Sequence, residues 1–77
     1  MKAAEILKDV MVKKEVRPSV LADRLQIKNS TLSERMTQKN ISILKLGEML
    51  RVMDYKIQVV PRNTRTPENG YDLDFDK

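Results

Sequence analysis

Apolar residues recur at intervals of three or four through most of the first 54 residues, and a chain can bury such a pattern only by packing helices together. The first predicted helix runs from Lys2 to about Glu15. Its apolar face consists of Ala3, Ile6, Leu7, Val10 and Met11. Because the chain has 77 residues, the helices can enclose only one thin core in a single domain.

Residues that favour helix ends divide the following region into three further helices. Pro18 has the fixed φ of a first helical turn, which predicts a second helix over 18–25 with Leu21, Ala22 and Leu25 facing inward. Asn29 or Ser30 can cap a third helix that runs to about Gln38, with Leu32, Met36 and the aliphatic part of Arg35 against the core. Ser42 can cap a fourth helix through about Asp54, with Ile43, Leu46, Leu50 and Met53 inward and close packing at Gly47.

After Asp54 the apolar period changes to two, which is typical of a half-buried strand that ends before Pro61. Tyr55, Ile57 and Val59 are the alternating residues. A lone strand needs an edge to pair with, and the same strand of a second copy offers one about a two-fold axis. We therefore predict a mainly α domain over 1–61, in which four helices precede a C-terminal β-strand that pairs across a dimer.

Charge is unevenly distributed between the body of the chain and its end. Residues 1–65 carry 14 basic and 7 acidic side chains, a net of +7, whereas residues 66–77 have a net of −3. We expect 62–77 to be a flexible, acidic tail, although the alternation of Tyr71, Leu73 and Phe75 leaves a short pairing segment as an alternative. A basic body suggests a polyanionic partner, and a solvated lysine-rich surface would explain the charge equally well.

Several classes of function find no support in the composition. The chain has no Cys and no His, no glycine-rich phosphate loop and no convergent pair of carboxylates, so we expect neither an enzyme nor a cofactor. Asp72, Asp74 and Asp76 alternate but lack the glycine and final glutamate of a calcium loop, and no metal site is expected. Charged residues interrupt the N-terminal apolar positions, so we predict no signal peptide, no membrane segment and a cytoplasmic location.

The stretch PSVLADRLQIKNSTLSERM, residues 18–36, resembles the helix-turn-helix of the Cro and phage-repressor (XRE-type) family. Ala22 stands where that family places a small residue at the helix crossing. The continuation over 40–62 is similar to small prophage and mobile-element regulators, so the resemblance covers about residues 3–62. Two positions depart from it: Gln26 replaces the usual turn glycine, and Arg35 replaces an aliphatic residue. Either Gln26 takes a left-handed backbone or the turn differs in shape.

The resemblance implies a recognition helix in the major groove, where its exposed first turns reach base edges. The candidate base contacts are Lys28, Asn29, Ser30, Thr31, Ser33, Glu34 and Gln38. The candidate phosphate contacts are Arg17, Ser19, Lys39 and Asn40. Asn29 and Ser30 could instead serve only as helix caps, and Lys28 and Lys39 could be ordinary solvated charges.

These patterns together predict a homodimeric, sequence-specific double-stranded DNA-binding regulator of transcription, which represses by occluding a promoter. The alternative is a protein-interaction module of the antitoxin or phage-inhibitor type that keeps the helix-turn-helix as a scaffold. The acidic tail favours that alternative, since it could occupy a basic groove of a protein partner. It could also fold back on the chain's own basic surface.

Overall fold

The computed structural model describes residues 1–74, and these form four helices. They are α1 (Ala3–Lys13), α2 (Pro18–Leu25), α3 (Asn29–Thr37) and α4 (Ile43–Arg51). This confirms a mainly helical fold with the predicted number and order of helices. None of the helices in this part of the chain has the length and apolar character needed to cross a membrane. Phe75 and Asp76, which the sequence patterns of the tail include, lie outside the described residues.

All four helices contribute to one core. Its buried apolar residues are Ile6, Leu7, Val10, Met11, Val16, Leu21, Ala22, Leu32, Leu46, Met49, Leu50 and Met53. The predicted inward positions of α1 and α2 are confirmed, although Ala3 and Leu25 are only partly buried. Burial of each large side chain contributes about 1.5–3 kcal/mol, which favours the packed helices over the unfolded chain.

Three helices end with the same left-handed backbone, although none of the three residues is glycine. Glu15, Gln26 and Asp54 have φ values of 54°, 57° and 63°. After α2, the amide of Gln26 donates to Asp23 O (3.1 Å) and that of Ile27 donates to Ala22 O (3.0 Å), so the last carbonyls of the helix are satisfied. Gln26 thus takes the left-handed conformation, and residues 26–28 turn the chain from α2 into α3.

The start of α3 differs from the prediction. Lys28 occupies the N-cap position with an extended backbone and makes no side-chain capping bond, so the expectation that Asn29 or Ser30 caps the helix is wrong. The helix begins one residue earlier because Ile27 packs against the core and leaves Lys28 as the last extended residue. The predicted cap of α4 is confirmed, since Ser42 Oγ accepts a hydrogen bond from the Lys45 amide at 3.3 Å.

Two details of α4 also differ. Ile43 was expected to face inward but is 64 % exposed, because the buried face is centred on Leu46 and Met49 and leaves Ile43 at its edge. Close packing at Gly47 is not found either. A Cβ added there would lie 3.7 Å from Ile57 Cδ1, which is an ordinary contact.

Arg35 lies partly within the core, as expected for its aliphatic part. Its side chain is only 15 % exposed, and one guanidinium nitrogen lies 3.8 Å from a carboxylate oxygen of Glu48. Its Nε is buried and has no hydrogen-bond partner among the described residues. The contact with Glu48 therefore joins α3 to α4 at the cost of one unsatisfied donor.

The chain after α4 forms no strand within the described residues. Residues 55–60 have no regular secondary structure, and the amides of 56–60 donate to no backbone carbonyl of residues 1–74. A lone strand has no edge to pair with in a single chain, so its backbone groups remain open. The predicted pairing concerns a second copy of the chain.

The segment beyond residue 60 packs on α1, whereas a flexible tail was expected. The hydroxyl of Tyr71 donates to the Asp9 carboxylate, and Lys13 Nζ lies 4.7 Å from the centre of the Tyr71 ring. The rings of Tyr71 and Tyr55 are 6.3 Å apart. We call Asp9, Lys13, Tyr55 and Tyr71 the tyrosine clasp. The two aromatic rings give the tail an apolar contact with the body of the chain. The polar composition of the tail does not predict this contact.

Candidate nucleic-acid interface

Helices α2 and α3 are joined by residues 26–28 and contact one another. Leu21 and Ala22 of α2 are 0 % and 1 % exposed, and Leu32 of α3 is 2 % exposed. Because Ala22 is fully enclosed, a larger side chain there would push its surroundings apart. The buried residues hold α3 at a set position on the body and leave its other face to solvent.

The exposed face of α3 carries the predicted base contacts. Lys28, Asn29, Ser30, Ser33, Glu34 and Gln38 are exposed, and Thr31 is half-buried. Since Lys28 is the N-cap residue, Asn29 and Ser30 belong to the first helical turn. Within residues 1–74 the side chains of Asn29, Ser30 and Ser33 accept or donate no hydrogen bond. The capping role that could have explained Asn29 and Ser30 is therefore removed.

A groove of about 1000 Å³ runs between α1, the start of α2 and α3. Arg17 and Ser19 line it from the start of α2, while Asn29 and Ser33 line it from α3. Met11, Leu32 and Met36 contribute apolar surface to the same groove. The structure thus brings two candidate phosphate contacts and two candidate base contacts to one surface. The N-terminal end of α2 adds free amides and the positive end of the helix dipole.

Lys39 and Asn40 lie elsewhere. They follow the C-terminal end of α3 and line a second recess, of about 1930 Å³, between α4 and the segment after it. The four candidate phosphate contacts are therefore divided between two surfaces, with Arg17 and Ser19 on one and Lys39 and Asn40 on the other.

Thr37 also lines the groove and was missed in the sequence. It lies four residues after Ser33 and eight after Asn29, so the helical period could have identified it. Its hydroxyl donates to Glu34 O at 3.0 Å, which leaves the oxygen lone pairs and the methyl group for outside contacts.

Few of the basic side chains are neutralised. Within the described residues, ion pairs join Lys13 to Asp9, Arg35 to Glu48 and the N-terminal ammonium to Asp74. Arg17, Lys28 and Lys39 have no ion pair in that part of the chain. The surface around α3 therefore presents basic side chains unpaired within residues 1–74, together with the exposed acids Glu15 and Glu34.

The predicted dimerisation residues have different surroundings. Tyr55 is half-buried in the clasp, where its hydroxyl donates to Asn69 O at 3.3 Å. Ile57 and Val59 are 40 % and 94 % exposed. On α4, Ile43 lines the same recess as Ile57 and Val59, and Leu44 is 80 % exposed. Sequence reasoning missed Leu44 because its position opposite the buried face is visible only once that face is known.

The clasp changes the acid–base behaviour of two of its members. Burial of the ring, followed by the hydrogen bond to Asp9, raises the pKa of Tyr71 above its ordinary value of 10.0. The hydrogen bond with Tyr71 raises the pKa of Lys13 above 10.5 against an opposing desolvation, and the charge of Asp9 adds to the rise. Both groups therefore keep their protons more firmly in the folded chain than in the unfolded one.

No protein-family model matches this chain, no curated protein matches it in sequence, and no solved structure matches it.

Proposed function

We propose that this chain is a sequence-specific double-stranded DNA-binding regulator of transcription, and that it represses by occluding a promoter in the cytoplasm. In this proposal α3 enters the major groove, and the chain has no catalytic role. A helix on the surface of a small basic domain can make such contacts when its outward side chains are polar and not engaged elsewhere.

The arrangement of the groove between α1 and α3 is the observation that carries the proposal. Arg17 and Ser19 at the start of α2 lie beside Asn29 and Ser33 of α3. A DNA strand at this surface would place phosphates against the start of α2 and base edges against α3. Asn29 can pair with adenine through two hydrogen bonds, which gives it a role that its position in the helix does not otherwise require.

We further propose that the active form is a homodimer in which residues 55–60 pair with the same residues of a second copy. The open amides of 56–60 support this, since an unpaired edge is a template for strand addition. The exposed side chains of Leu44 and Val59 are apolar surface that a second copy would cover. Two-fold symmetry would then match a palindromic operator.

The alternative function, a protein-interaction module, has less support. Its main argument was the acidic tail, which could have bound a basic partner. In the structure Asp72 accepts a hydrogen bond from Thr66 at 2.6 Å, and Asp74 pairs with the N-terminal ammonium at 2.8 Å. Both carboxylates have partners within the chain, although both remain exposed.

Selection from a randomised duplex library tests the proposal. We expect enrichment of a two-fold symmetric motif, whose affinity falls steeply as salt rises from 50 to 200 mM because bound phosphates release counterions. The same duplex with its central motif scrambled is the control. Equal binding to both duplexes would rule out a sequence-specific regulator and favour the protein-interaction alternative.

A further inference from the structure

The chain between Asp54 and Glu68 contains three basic residues and no acidic residue. Lys56, Arg62 and Arg65 are all exposed, and none forms an ion pair within residues 1–74. Residues 61–66, which we call the basic turn, include both arginines. The turn is closed by a hydrogen bond from the Thr64 amide to Pro61 O at 3.0 Å.

Contacts on both sides hold the basic turn against the body. Before it, Ile57 Cδ1 lies 3.7 Å from the place that a Cβ on Gly47 of α4 would occupy. After it, Thr66 Oγ1 donates to the Asp72 carboxylate at 2.6 Å, and Tyr71 is fastened to α1 through the clasp. The turn is therefore presented at a set place, which reduces the conformational entropy lost when a partner binds.

Within residues 1–74 no acid of the tail forms an ion pair with Arg62 or Arg65. The Asp72 carboxylate lies at the turn, where it accepts a hydrogen bond from the neutral Thr66 hydroxyl, and Asp74 is paired with the N-terminal ammonium. Arg62 and Arg65 line the same recess as Lys39 and Asn40, the two candidate phosphate contacts that lie away from the groove between α1 and α3. The recess thus carries basic side chains from two separate parts of the chain, and Asp54, Asp72 and Asp74 line it as well.

We propose that the basic turn is a second phosphate-binding surface, which holds the DNA backbone beyond the stretch contacted by α2 and α3. Arg62 and Arg65 donate to phosphate oxygens, and Lys39 extends the same track from the end of α3. The guanidinium group suits this role because its planar donors match two phosphate oxygens. The inference rests on the proposed DNA-binding function and adds to it a contact outside the helix-turn-helix.

The test compares salt dependence for the full chain and for the double variant Arg62→Gln, Arg65→Gln on one selected duplex. Each phosphate contact contributes about 0.9 to the slope of log affinity against log salt, or roughly a 3.5-fold change in affinity between 50 and 200 mM. We expect the double variant to lose about two such contacts per protomer and to keep its preferred motif. The double variant Arg62→Lys, Arg65→Lys should retain most of the slope, and Arg51→Gln, an exposed α4 residue, is the control for loss of one charge.

A slope unchanged in Arg62→Gln, Arg65→Gln but reduced in Arg17→Gln would overturn the second surface and leave the helix-turn-helix function standing. Equal losses of salt slope in Arg51→Gln and in Arg62→Gln alone would also overturn the second surface. The net charge of the chain, and not the location of the arginine, would then set the salt dependence of the affinity. If the unaltered chain binds no duplex in a salt-dependent manner, the proposed function fails and this inference fails with it. Circular dichroism of each variant verifies that the fold is retained.

Discussion

Single residues in this chain occupy backbone conformations that their side chains do not favour. Glu15, Gln26 and Asp54 all end helices with positive φ, while the two glycines lie at positions where φ is not positive. A side chain in the left-handed region costs about 1 kcal/mol relative to glycine. Hydrogen bonds from the following backbone amides to the last carbonyls of each of these helices offset part of this cost.

Gln26→Gly should therefore stabilise the chain by about 1 kcal/mol, which corresponds to a rise in Tm of about 4–8 °C for a domain of this size. Thermal unfolding followed by circular dichroism measures the change. Gln38→Gly is the matched control, since Gln38 has φ of −66° and gains nothing from glycine. A lower Tm in Gln26→Gly would mean that a contact of the Gln26 side chain stabilises the fold by more than the left-handed backbone destabilises it.

Substitution of a base contact and substitution of a phosphate contact should change DNA binding in different ways. Asn29 and Arg17, which line the same groove, test this difference. Asn29→Ala should reduce discrimination at one base pair by about 1–3 kcal/mol, since a bidentate contact to adenine is lost. Arg17→Ala should weaken binding to all duplexes alike and lower the salt slope by about 0.9. Titration of the selected duplex and of single-base variants separates the two effects. Identical behaviour of the two variants would contradict the division of roles proposed for this groove.

At the scale of elements, the segment after α4 depends on α1 for its position. Tyr71 reaches from the tail to Asp9 and Lys13, which lie one helical turn apart on α1 and form an ion pair of 3.8 Å. An exposed ion pair contributes little by itself. The aromatic contact and the phenolic hydrogen bond therefore contribute more than this ion pair does, and hydrogen bonds of Met1 with Asp72 and Asp74 add a further attachment.

Stability should depend on pH through this clasp. The pKa of Tyr71 is raised in the folded chain, so the unfolded chain loses the phenolic proton first as pH rises. The contribution is complete below pH 10.0 and is lost as pH increases through the raised pKa of the folded state. The raised pKa of Lys13 acts in the same direction above pH 10.5.

Tyr71→Phe should accordingly lower the free energy of unfolding at pH 7 by about 1 kcal/mol, because the hydrogen bond to Asp9 is removed. It should also show a smaller loss of stability between pH 9 and pH 11 than the unaltered chain. Urea unfolding at several pH values measures both quantities. The same alkaline loss in both proteins would show that Tyr71 does not link the tail to α1 in solution.

The whole molecule is small and elongated, with extents of 38 × 27 × 17 Å, and leaves several large apolar side chains uncovered. Val59, Leu44 and Ile43 are 94 %, 80 % and 64 % exposed. A monomer of this size has a thin core, and association can add the stability that disulfides and metals supply in other small domains. This surface is the basis for the proposed homodimer.

Val59→Asp should shift the chain from dimer to monomer, because a carboxylate would be buried in the paired interface. Sedimentation equilibrium measures the association. Val12→Asp is the matched control, since Val12 is 76 % exposed on α1, away from residues 55–60. Ile57→Pro should have the same effect as Val59→Asp by removing a donor from the ladder. A monomeric unaltered chain at micromolar concentration would refute strand pairing as the source of the dimer.

The sequence by itself determined the helices and most of the core. The spacing of Leu7, Leu21 and Leu32 identifies the faces that must be buried, and Pro18 marks the start of α2 to the residue. Such signals are local, because they arise from the period of the helix and from backbone sterics. The candidate residues of α3 could be named for the same reason, since exposure follows from the buried face.

Tertiary structure alone decided the features that depend on long-range packing. Whether Gln26 would accept positive φ depended on how closely α2 and α3 pack, and the position of Ile43 depended on which face of α4 meets the body. The contact of Tyr71 with Asp9 joins residues 62 positions apart, a separation at which no local pattern acts. Side chains distant in sequence meet only when the core has set the paths of the helices, which is why the clasp and the recess beside the basic turn emerge only in the folded chain.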